Sequence, residues 1–329
     1  MHNLSPRRLI TVHLLTPSMV DEYRLNLRAT CTRYYNLLAN HSVYAAVPTE
    51  NFTAVVQALT GHTLTGHARS GKLFSWGRSH AAADAACTAE LFLVAVDIGL
   101  PARYAGKRLD ELGGACAGGR YRASLAWDLY SGAFFSAHLL WQPWLDRADF
   151  YLKIDTDIFF GAPMPFDLGE KLASMPITTQ VFHTGLAKAT ALCENGVGDA
   201  LMSFRLAYNI TTPMVGWCGH EPLPRYKSGV LFYGNFVAFR VSFMRSAPVQ
   251  ALSRYLWETE ASSGYFETAR WGDQGPWTAF ACLGLQGPSN WLRDGRTQEL
   301  GGLRGKVFEH GRQPRDMRMR HAQNVTWGR

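Results

Sequence analysis

The segment FYLKIDTDIFF, residues 150–160, places two carboxylates between two apolar runs. Its first five residues have the composition of a buried β-strand, since aromatic and branched apolar side chains make up most of them. Strand-like and helix-like segments alternate along the rest of the chain, which predicts an α/β fold with a mainly parallel sheet. Ligands bind such sheets beyond the carboxyl ends of the strands. Asp155 and Asp157 fall at such an end and are the first candidates for a functional site.

The two carboxylates have the spacing of a metal site. Two Asp residues at positions i and i+2 after a strand can both reach one hard cation such as Mg²⁺ or Mn²⁺. A cation held there would bridge a diphosphate and stabilise the leaving group as a Lewis acid. The alternative is that this Asp-x-Asp only caps a turn. Charges inside an apolar run are costly unless they are ligated or paired, which favours the metal site. A phosphatase-like nucleophile loop fits less well, because that motif normally follows the first strand of its domain.

The spacing of apolar residues predicts the elements on either side of this strand. At the N-terminus it predicts a β-α-β unit, with strand Leu9–Leu15, helix Met19–Leu38 and strand Val43–Val47. Residues 60–80 are rich in Gly, His and Ser, which is typical of a loop. Further elements are predicted as strands over 177–185, 230–241 and 305–309, and as helices over 81–96, 121–145, 194–208, 244–262 and 272–285.

Other polar residues in apolar or aromatic surroundings are additional candidates. Asp273, in Arg-Trp-Gly-Asp, either caps the helix that it precedes or contacts a sugar hydroxyl. His310 follows a late strand and could complete a Mn²⁺ shell, although a lone histidine is more often structural. Asn235 lies inside an apolar strand and needs a partner there, from the backbone or from a ligand. Two aromatic segments either pack in the core or line a nucleotide or sugar pocket, and they contain Tyr121, Arg122 and Tyr130.

Composition excludes several classes of protein. The 329 residues are 47% hydrophobic and 18% charged, which excludes disordered and collagen-like chains. This length predicts one large domain or two coupled halves. The net charge of +7 is scattered, which suits a cleft for a nucleotide diphosphate better than a nucleic-acid-binding surface. No apolar run approaches the roughly 18 residues of a membrane helix, and the first residues show no signal peptide.

Two features favour a protein of the secretory pathway. Six cysteines are even in number and contain no C-x-x-C pair, so one or two disulfides are favoured over a zinc site. Asn-x-Ser/Thr sequons are also more frequent than the one or so expected by chance. They occur at five of the ten asparagines, namely Asn3, Asn40, Asn51, Asn209 and Asn324.

Two groups of motifs carry a resemblance to a known family. The first runs from Gly-Arg-Tyr-Arg (119–122) through Leu-Tyr-Ser-Gly-Ala-Phe-Phe (129–135) to the strand that ends at Asp155. The second contains, in order, Asn-Phe (235–236), Phe-Met-Arg-Ser (243–246), Gly-Tyr-Phe-Glu (264–267) and Arg-Trp-Gly-Asp (270–273). From roughly residue 119 to residue 310, their order and spacing resemble glycosyltransferase family 15, the fungal α-1,2-mannosyltransferases.

This resemblance implies a GT-A fold, in which a Rossmann-like nucleotide-sugar-binding half is joined to an acceptor-binding half. We expect residues 1–160 and 161–329 to form these halves approximately, with a basic tail at the C-terminus. The resemblance further implies transfer of mannose from GDP-mannose to a mannose hydroxyl, with retention of configuration, using Mn²⁺ in the Golgi. By position, Asp155 and His310 resemble the family's metal ligands, Asp273 matches the Asp of Trp-Gly-Asp, and Tyr130 matches the Tyr of Tyr-Ser-Gly.

Two departures from the family pattern bear on the mechanism. The family has Glu-Pro after the strand, whereas this chain has Asp-Thr-Asp, the pattern of most other GT-A enzymes. The family's Glu after Asn-Phe is Val237 here, and a valine cannot attack an anomeric carbon. The reaction would then follow a front-face route or use another carboxylate, Asp273 or Glu267, unless the chain is inactive.

The sequence therefore predicts a metal-dependent retaining glycosyltransferase, similar to mannosyltransferases, in the Golgi or ER lumen. Asp155, Asp157 and His310 would hold Mn²⁺ or Mg²⁺, and Asp273 would orient or deprotonate the acceptor hydroxyl. The residues assigned to the donor nucleotide are Tyr121, Arg122, Asp155, Lys227 and Asn235.

Two alternatives remain open from the sequence. One is a galactosyl- or xylosyltransferase of the same architecture that uses a UDP-sugar, and the other is an inactive sugar- or nucleotide-binding relative. The expected partners are a nucleotide sugar and a glycan or glycoprotein acceptor, with no nucleic acid. Membrane contact is expected only through an anchor that is not visible in this chain.

Overall fold

The computed structural model describes residues 9–35, 41–61, 73–76, 89–99, 102–104, 130–188, 197–211, 230–263, 273–283, 297–301, 303–304 and 306–310. Within these residues the strands are β1 (Leu9–Leu14), β2 (Ser42–Pro48), β3 (Leu73–Trp76), β4 (Glu90–Val96), β5 (Phe150–Ile154), β6 (Ile158–Phe160), β7 (Val181–His183), β8 (Leu186–Lys188), β9 (Val230–Phe232), β10 (Phe236–Arg240), β11 (Thr297–Glu299) and β12 (Phe308–His310).

The α-helices of the same residues are α1 (Val20–Arg33), α2 (Phe52–Thr60), α3 (Leu168–Ser174), α4 (Val197–Ala207), α5 (Val241–Met244), α6 (Ala247–Ser263) and α7 (Gln274–Leu283). A π-helix spans Phe134–His138. Short 3₁₀ helices occur at Pro17–Met19, Thr49–Asn51, Ala102–Tyr104, Leu139–Trp141 and Pro143–Arg147. None of the helices in the described ranges is long and apolar enough to cross a membrane.

The chain divides into two compact units, each built from separate stretches of sequence. The first unit contains residues 1–96, 153–171 and 301–329, and the second contains residues 97–152 and 172–300. The division at residue 152 falls inside β5, so this strand contributes its first three residues to the second unit and its last two to the first.

The first unit is a parallel sheet with helices, extended by one antiparallel strand. Its strands lie in the order β5, β1, β2, β4 and β3. β1 is parallel to β2 and β2 to β4, whereas β3 is antiparallel to β4. β6 and β12 form a separate antiparallel pair. Residues of α1 and α2 pack with β2 and β4 in an apolar cluster that includes Val20, Tyr23, Val47, Phe52 and Leu93.

The second unit has a mixed sheet and a core of aromatic rings. Its strands lie in the order β11, β7, β10 and β5, with β7 parallel to β11 and antiparallel to β10. Trp277, in α7, is completely buried. Its ring centroid lies 5.6 Å from that of Phe135 and 5.1 Å from that of Phe239, which in turn stacks on Tyr151. These contacts attach α7 and the π-helix to β5 and β10 within this unit.

The predicted α/β class and the strand at 150–154 are confirmed, but three sequence-based assignments are wrong. Residues 90–96 form β4 inside the predicted helix 81–96, and β3 lies in the predicted loop 60–80. Glu90–Val96 reads ELFLVAV, and a strand buried on both faces has no alternation that separates it from a helix. From residue 130 onward, the predicted helix 121–145 contains a π-helix and two 3₁₀ helices rather than continuous α-helix.

Candidate functional site

A turn follows β5 in the first unit and carries Asp155, Thr156 and Asp157. The backbone N–H of Ile158 donates to the carbonyl oxygen of Asp155 at 3.2 Å, which closes the turn. Thr156 is buried, whereas Asp155 and Asp157 are only partly buried. The buried strand therefore delivers both carboxylates to a position that a ligand from solvent can reach.

Lys153 is a polar residue of this turn region that the sequence analysis did not single out. It lies in β5 with 3% of its side chain exposed, and its ammonium group forms an ion pair with Asp155 Oδ1. Residues two apart in a strand point to the same face of the sheet, which brings these two side chains together. A lysine inside an apolar strand, two residues before the first of two carboxylates, was the signal that could have identified it.

The short pair β6–β12 brings His310 to the same turn. Its register sets His310 opposite Ile158, Glu309 opposite Phe159 and Phe308 opposite Phe160. The N–H groups of Gly161 and Ala162 both donate to the carbonyl oxygen of Val307, at 2.9 and 3.2 Å, which continues the attachment beyond β6. Because Ile158 follows Asp157 directly, the backbone of His310 lies beside the turn that carries the two carboxylates.

The backbone thus brings the three predicted metal ligands to one place in the first unit. The register fixes the position of His310, and the turn fixes the positions of Asp155 and Asp157. Among the side chains that the structure describes, no three His, Cys, Asp or Glu residues form a group that could hold a metal ion.

Two buried side chains from the N-terminal elements reach the backbone of this turn. Asn26, in α1, donates from Nδ2 to the carbonyl oxygen of Thr156 at 2.9 Å. Nδ1 of His13, in β1, lies 2.9 Å from the carbonyl oxygen of Ile154. A carbonyl oxygen can only accept, so Nδ1 carries the proton, and Nε2 accepts from the hydroxyl of Tyr35 at 2.5 Å. These contacts specify one neutral tautomer of His13.

Burial keeps His13 in that neutral form. The pKa of His13 is lowered to about 3, mainly by removal from water, and the electrostatic effects of His41 and Lys153 act in the same direction. The hydrogen bond to Ile154 acts in the opposite direction but is outweighed. Burial likewise raises the pKa of Tyr35 well above its usual value. The pair therefore stays uncharged at neutral pH, with hydrogen bonds of fixed direction.

Asp273 is the centre of a second polar group, in the second unit. It is buried directly before α7, and its Oδ2 accepts a hydrogen bond from the hydroxyl of buried Ser131 at 3.1 Å. Its Oδ1 faces Gly234, where an added Cβ would lie 3.2 Å from that oxygen and 2.7 Å from Cγ of Gln274. The absence of a side chain at Gly234 therefore leaves room for the carboxylate. Ser131 is a site residue that the sequence analysis missed, although it adjoins Tyr130.

Tyr151, Asn235 and Tyr130 belong to the same unit as Asp273. Tyr151 is fully buried, and its hydroxyl has no hydrogen-bond partner among the described residues. Burial raises the pKa of Tyr151 well above its usual value, and the charge of Asp273 adds to this effect. Asn235 is buried in the turn between β9 and β10, and Tyr130 is half-buried where the helical segment leading to the π-helix begins.

Val237, the position that the sequence analysis compared with a family glutamate, lies in the interior of the second unit's sheet. Val237, in β10, is completely buried and pairs with His183 of β7. Burial lowers the pKa of His183 to about 4, so its imidazole is neutral at physiological pH. The same register sets His183 beside Glu299 of β11, which is exposed. The structure therefore has a valine, beside a neutral imidazole, at the position where the resemblance to family 15 implies a carboxylate.

Four other predicted site residues lie outside the described residues: Tyr121, Arg122, Lys227 and Glu267. Their roles in nucleotide binding and catalysis stay predictions.

The arrangement of strands and helices is that of the GT-A glycosyltransferases, which confirms the predicted fold class. The crystal structure of core-mannan synthase A from Aspergillus fumigatus, in an Mn/GDP form, is similar with a TM-score of 0.60. It shares 14% sequence identity, and the match covers 94% of this chain and 76% of that one. No protein-family profile and no curated protein sequence matches this chain.

The mannosyltransferase Ktr4p from S. cerevisiae is also similar in structure. Its complex with GDP has a TM-score of 0.54 and 13% identity, over 85% of this chain and 66% of that one. A second structure of Ktr4p has a TM-score of 0.53 and 12% identity, over 92% of this chain and 70% of that one. At these identities the similarity shows the fold, and the function must be argued from the site.

Proposed function

We propose that this chain is a metal-dependent glycosyltransferase that transfers mannose from GDP-mannose to a mannose-containing glycan with retention of configuration. The observation that carries this proposal is the pairing of His310 with Ile158, because it brings the backbone of a histidine beside the turn that holds Asp155 and Asp157. The fold supports the same reaction, since it is shared with a mannosyltransferase and with a mannan synthase whose structure is an Mn/GDP form.

The residues of the turn fit a divalent cation. Two carboxylates and an imidazole suit Mn²⁺, and the carboxylates also suit Mg²⁺. Asp155 and Asp157 are both partly exposed, and Oδ1 of Asp155 is the atom that pairs with Lys153. A bound cation would neutralise the diphosphate of the donor and stabilise it as a leaving group. Tyr121, Arg122, Lys227 and Asn235 are proposed to contact the donor nucleotide.

Asp273 is proposed to orient or deprotonate the acceptor hydroxyl. Its carboxylate is held by Ser131 and has room beside Gly234, so its direction is fixed before an acceptor binds. Tyr130 is proposed to act next to this group, and Glu267 is the other carboxylate that could serve. Because position 237 is a valine, a front-face reaction is favoured over attack by a protein carboxylate at that position.

Variants of the turn test this proposal. Asp155→Asn and Asp157→Asn keep the size of each side chain and remove its charge. Asp146→Asn is the matched control, since Asp146 is exposed and forms an ion pair with Arg245 in the second unit. Transfer from GDP-mannose, UDP-galactose and UDP-xylose to a mannoside is measured with Mn²⁺ and with a chelator.

We expect transfer from GDP-mannose by the wild type and by Asp146→Asn, its loss with the chelator, and its loss in both turn variants. Full activity of the Asp155→Asn, Asp157→Asn double variant would contradict the metal site. Faster transfer from a UDP-sugar than from GDP-mannose would be consistent with the proposed metal site but would contradict GDP-mannose as the donor.

A second candidate function is a sugar- or nucleotide-binding protein without transferase activity. The valine at position 237 favours it, because no carboxylate is available at that position. Calorimetry with GDP and UDP in the presence of Mn²⁺ separates the candidates. Tight nucleotide binding without transfer or donor hydrolysis would support the binding protein.

The lumen of the Golgi or ER is the proposed compartment. Cys31 and Cys282, the two cysteines among the described residues, are each disulfide-bonded, and disulfides persist in oxidising compartments. Asn209, in one of the sequons, is exposed with a φ of 50°. The mass of the protein expressed in a eukaryotic host should decrease on treatment with an N-glycosidase.

A further inference from the structure

We propose that Asn26 and His13 are positioning residues for the metal-binding turn, and that they fix the directions in which Asp155 and Asp157 leave the backbone. This inference rests on the proposed function of the turn. It concerns two residues outside the turn, one in β1 and one in α1.

Each of the two carbonyl groups that are held belongs to the residue directly before a proposed ligand. His13 holds the carbonyl of Ile154, and Asn26 holds the carbonyl of Thr156, both at 2.9 Å. The peptide group is planar, so fixing a carbonyl also fixes the N–Cα bond of the following residue. The peptide groups that precede Asp155 and Asp157 are therefore both held in a fixed orientation.

The anchoring groups are themselves fixed. Asn26 is 3% exposed and His13 is 2% exposed, so neither side chain competes with solvent for its hydrogen bond. Tyr35, which is 1% exposed, donates to Nε2 of His13 and thereby sets the orientation of the imidazole ring. Buried polar networks in which each member is satisfied are rigid.

The supports lie directly behind the turn, around one small cavity. Its volume is about 10 Å³, enough for one water molecule. The lining includes both supports and the residues that they hold, namely His13, Asn26, Tyr35, Ile154, Asp155 and Thr156.

Two explanations of these hydrogen bonds make different predictions. If they only satisfy buried carbonyl groups, their loss lowers stability and leaves metal affinity unchanged. If they position the ligands, their loss weakens metal binding as well. Outer-sphere partners of metal ligands change metal affinity by about 10–100-fold when they are removed.

Asn26→Leu is the main variant, because leucine has the same branching and number of side-chain heavy atoms as asparagine but no donor. Thr30→Val is its matched control. Thr30 is buried one turn further along α1, lines the same cavity, and donates within the helix to the carbonyl of Asn26 at 2.9 Å. The dissociation constant of Mn²⁺ is measured by electron paramagnetic resonance, for Mn²⁺ alone and with GDP. Thermal unfolding is measured without metal.

We expect Asn26→Leu to weaken Mn²⁺ binding about tenfold or more, and Thr30→Val to change it less than about twofold. Asn26→Leu should have the lower melting temperature without metal, because it leaves the buried carbonyl of Thr156 without its donor. Equal Mn²⁺ affinity of Asn26→Leu and the wild type would overturn the positioning role. Equal weakening in Thr30→Val would also overturn it, because the effect would then follow from helix stability.

A second pair of variants tests the other support, including the case in which Asn26→Leu does not fold. His13→Asn keeps an N–H near the position of Nδ1, whereas His13→Leu removes it. We expect His13→Asn to retain Mn²⁺ affinity within about threefold and His13→Leu to lose about tenfold. Equal affinities of the two would contradict the role of His13.

Asp155→Asn distinguishes this inference from the proposed function. If the wild type binds Mn²⁺, Asp155→Asn does not, and the support variants bind normally, only the positioning role is overturned. If Asp155→Asn binds Mn²⁺ as the wild type does, or if the wild type does not bind it, both the proposed metal site and the positioning role are overturned.

Discussion

Acidification should destabilise this protein before any carboxylate in an ordinary environment is protonated. The pKa of His13 is about 3 in the folded protein, against 6.5 in an unfolded chain. As the pH falls below 6.5, the unfolded chain takes up a proton at this position and the folded protein does not. The contribution of His13 is therefore complete above pH 6.5 and is lost progressively down to about pH 3.

The magnitude follows from proton linkage. Between pH 8 and pH 5.5, one such histidine removes about 1.4 kcal/mol from the free energy of unfolding, since the unfolded chain is about ten-to-one protonated at the lower pH. His41, with a pKa of about 3, and His183, with a pKa of about 4, are buried in the same way. Together the three histidines should remove about 4 kcal/mol over this interval.

Comparison with His13→Asn isolates a single histidine. Urea unfolding followed by tryptophan fluorescence is measured at pH 8 and at pH 5.5 for both proteins. The decrease in unfolding free energy should be about 1.4 kcal/mol smaller in His13→Asn, because asparagine does not titrate. Tyr35→Phe is the control, since it removes the hydroxyl that His13 accepts from but leaves the histidine buried. It should keep the pH dependence of the wild type, and a difference below about 0.5 kcal/mol for His13→Asn would refute the reasoning.

Three further changes have defined outcomes. Gly234→Ala should lower the free energy of unfolding by about 1–3 kcal/mol, because its Cβ would lie 2.7 Å from Cγ of Gln274; an unchanged urea midpoint would contradict the close approach. Ser131→Ala should cost about 1.5–3 kcal/mol through the lost hydrogen bond to a carboxylate. In a double-mutant cycle with Asp273→Asn, a coupling energy near zero would show that the bond contributes nothing. Trp277→Ala should cost about 3–5 kcal/mol, since the ring is completely buried, and calorimetry that found the melting temperature unchanged would contradict this.

The strand and turn at 150–157 could be predicted because their signals are local. An apolar run that ends in two charges has one favourable arrangement in an α/β sheet, in which the strand is buried and the charges lie at its carboxyl end. Local patterns failed at β4, where an apolar run of seven residues is compatible with a buried strand or a buried helix. Residues 90–96 form a strand because they pair in parallel with β2, which is distant in the sequence.

The supports of the site could not be predicted from local patterns. Asn26 and Thr156 are separated by 130 positions, and Ser131 and Asp273 by 142. Asparagine on a helix and serine beside an aromatic residue are common, so neither indicates a partner. Lys153 is different, because a lysine inside a buried strand required an anion and the nearest candidate was two residues away.

The hydrogen bond between Asn26 and Thr156 also has a consequence for how the protein is made. At about 5–20 residues per second, the ribosome delivers Thr156 roughly ten seconds after Asn26. Until then the amide of Asn26 and the imidazole of His13 lack the carbonyl oxygens of Thr156 and Ile154 as acceptors, and water must take the place of those acceptors. A chain that stops before residue 154 therefore cannot bury Asn26 and His13 without leaving their polar groups unpaired. We expect a recombinant fragment that ends there to be less stable than the first unit of the whole chain.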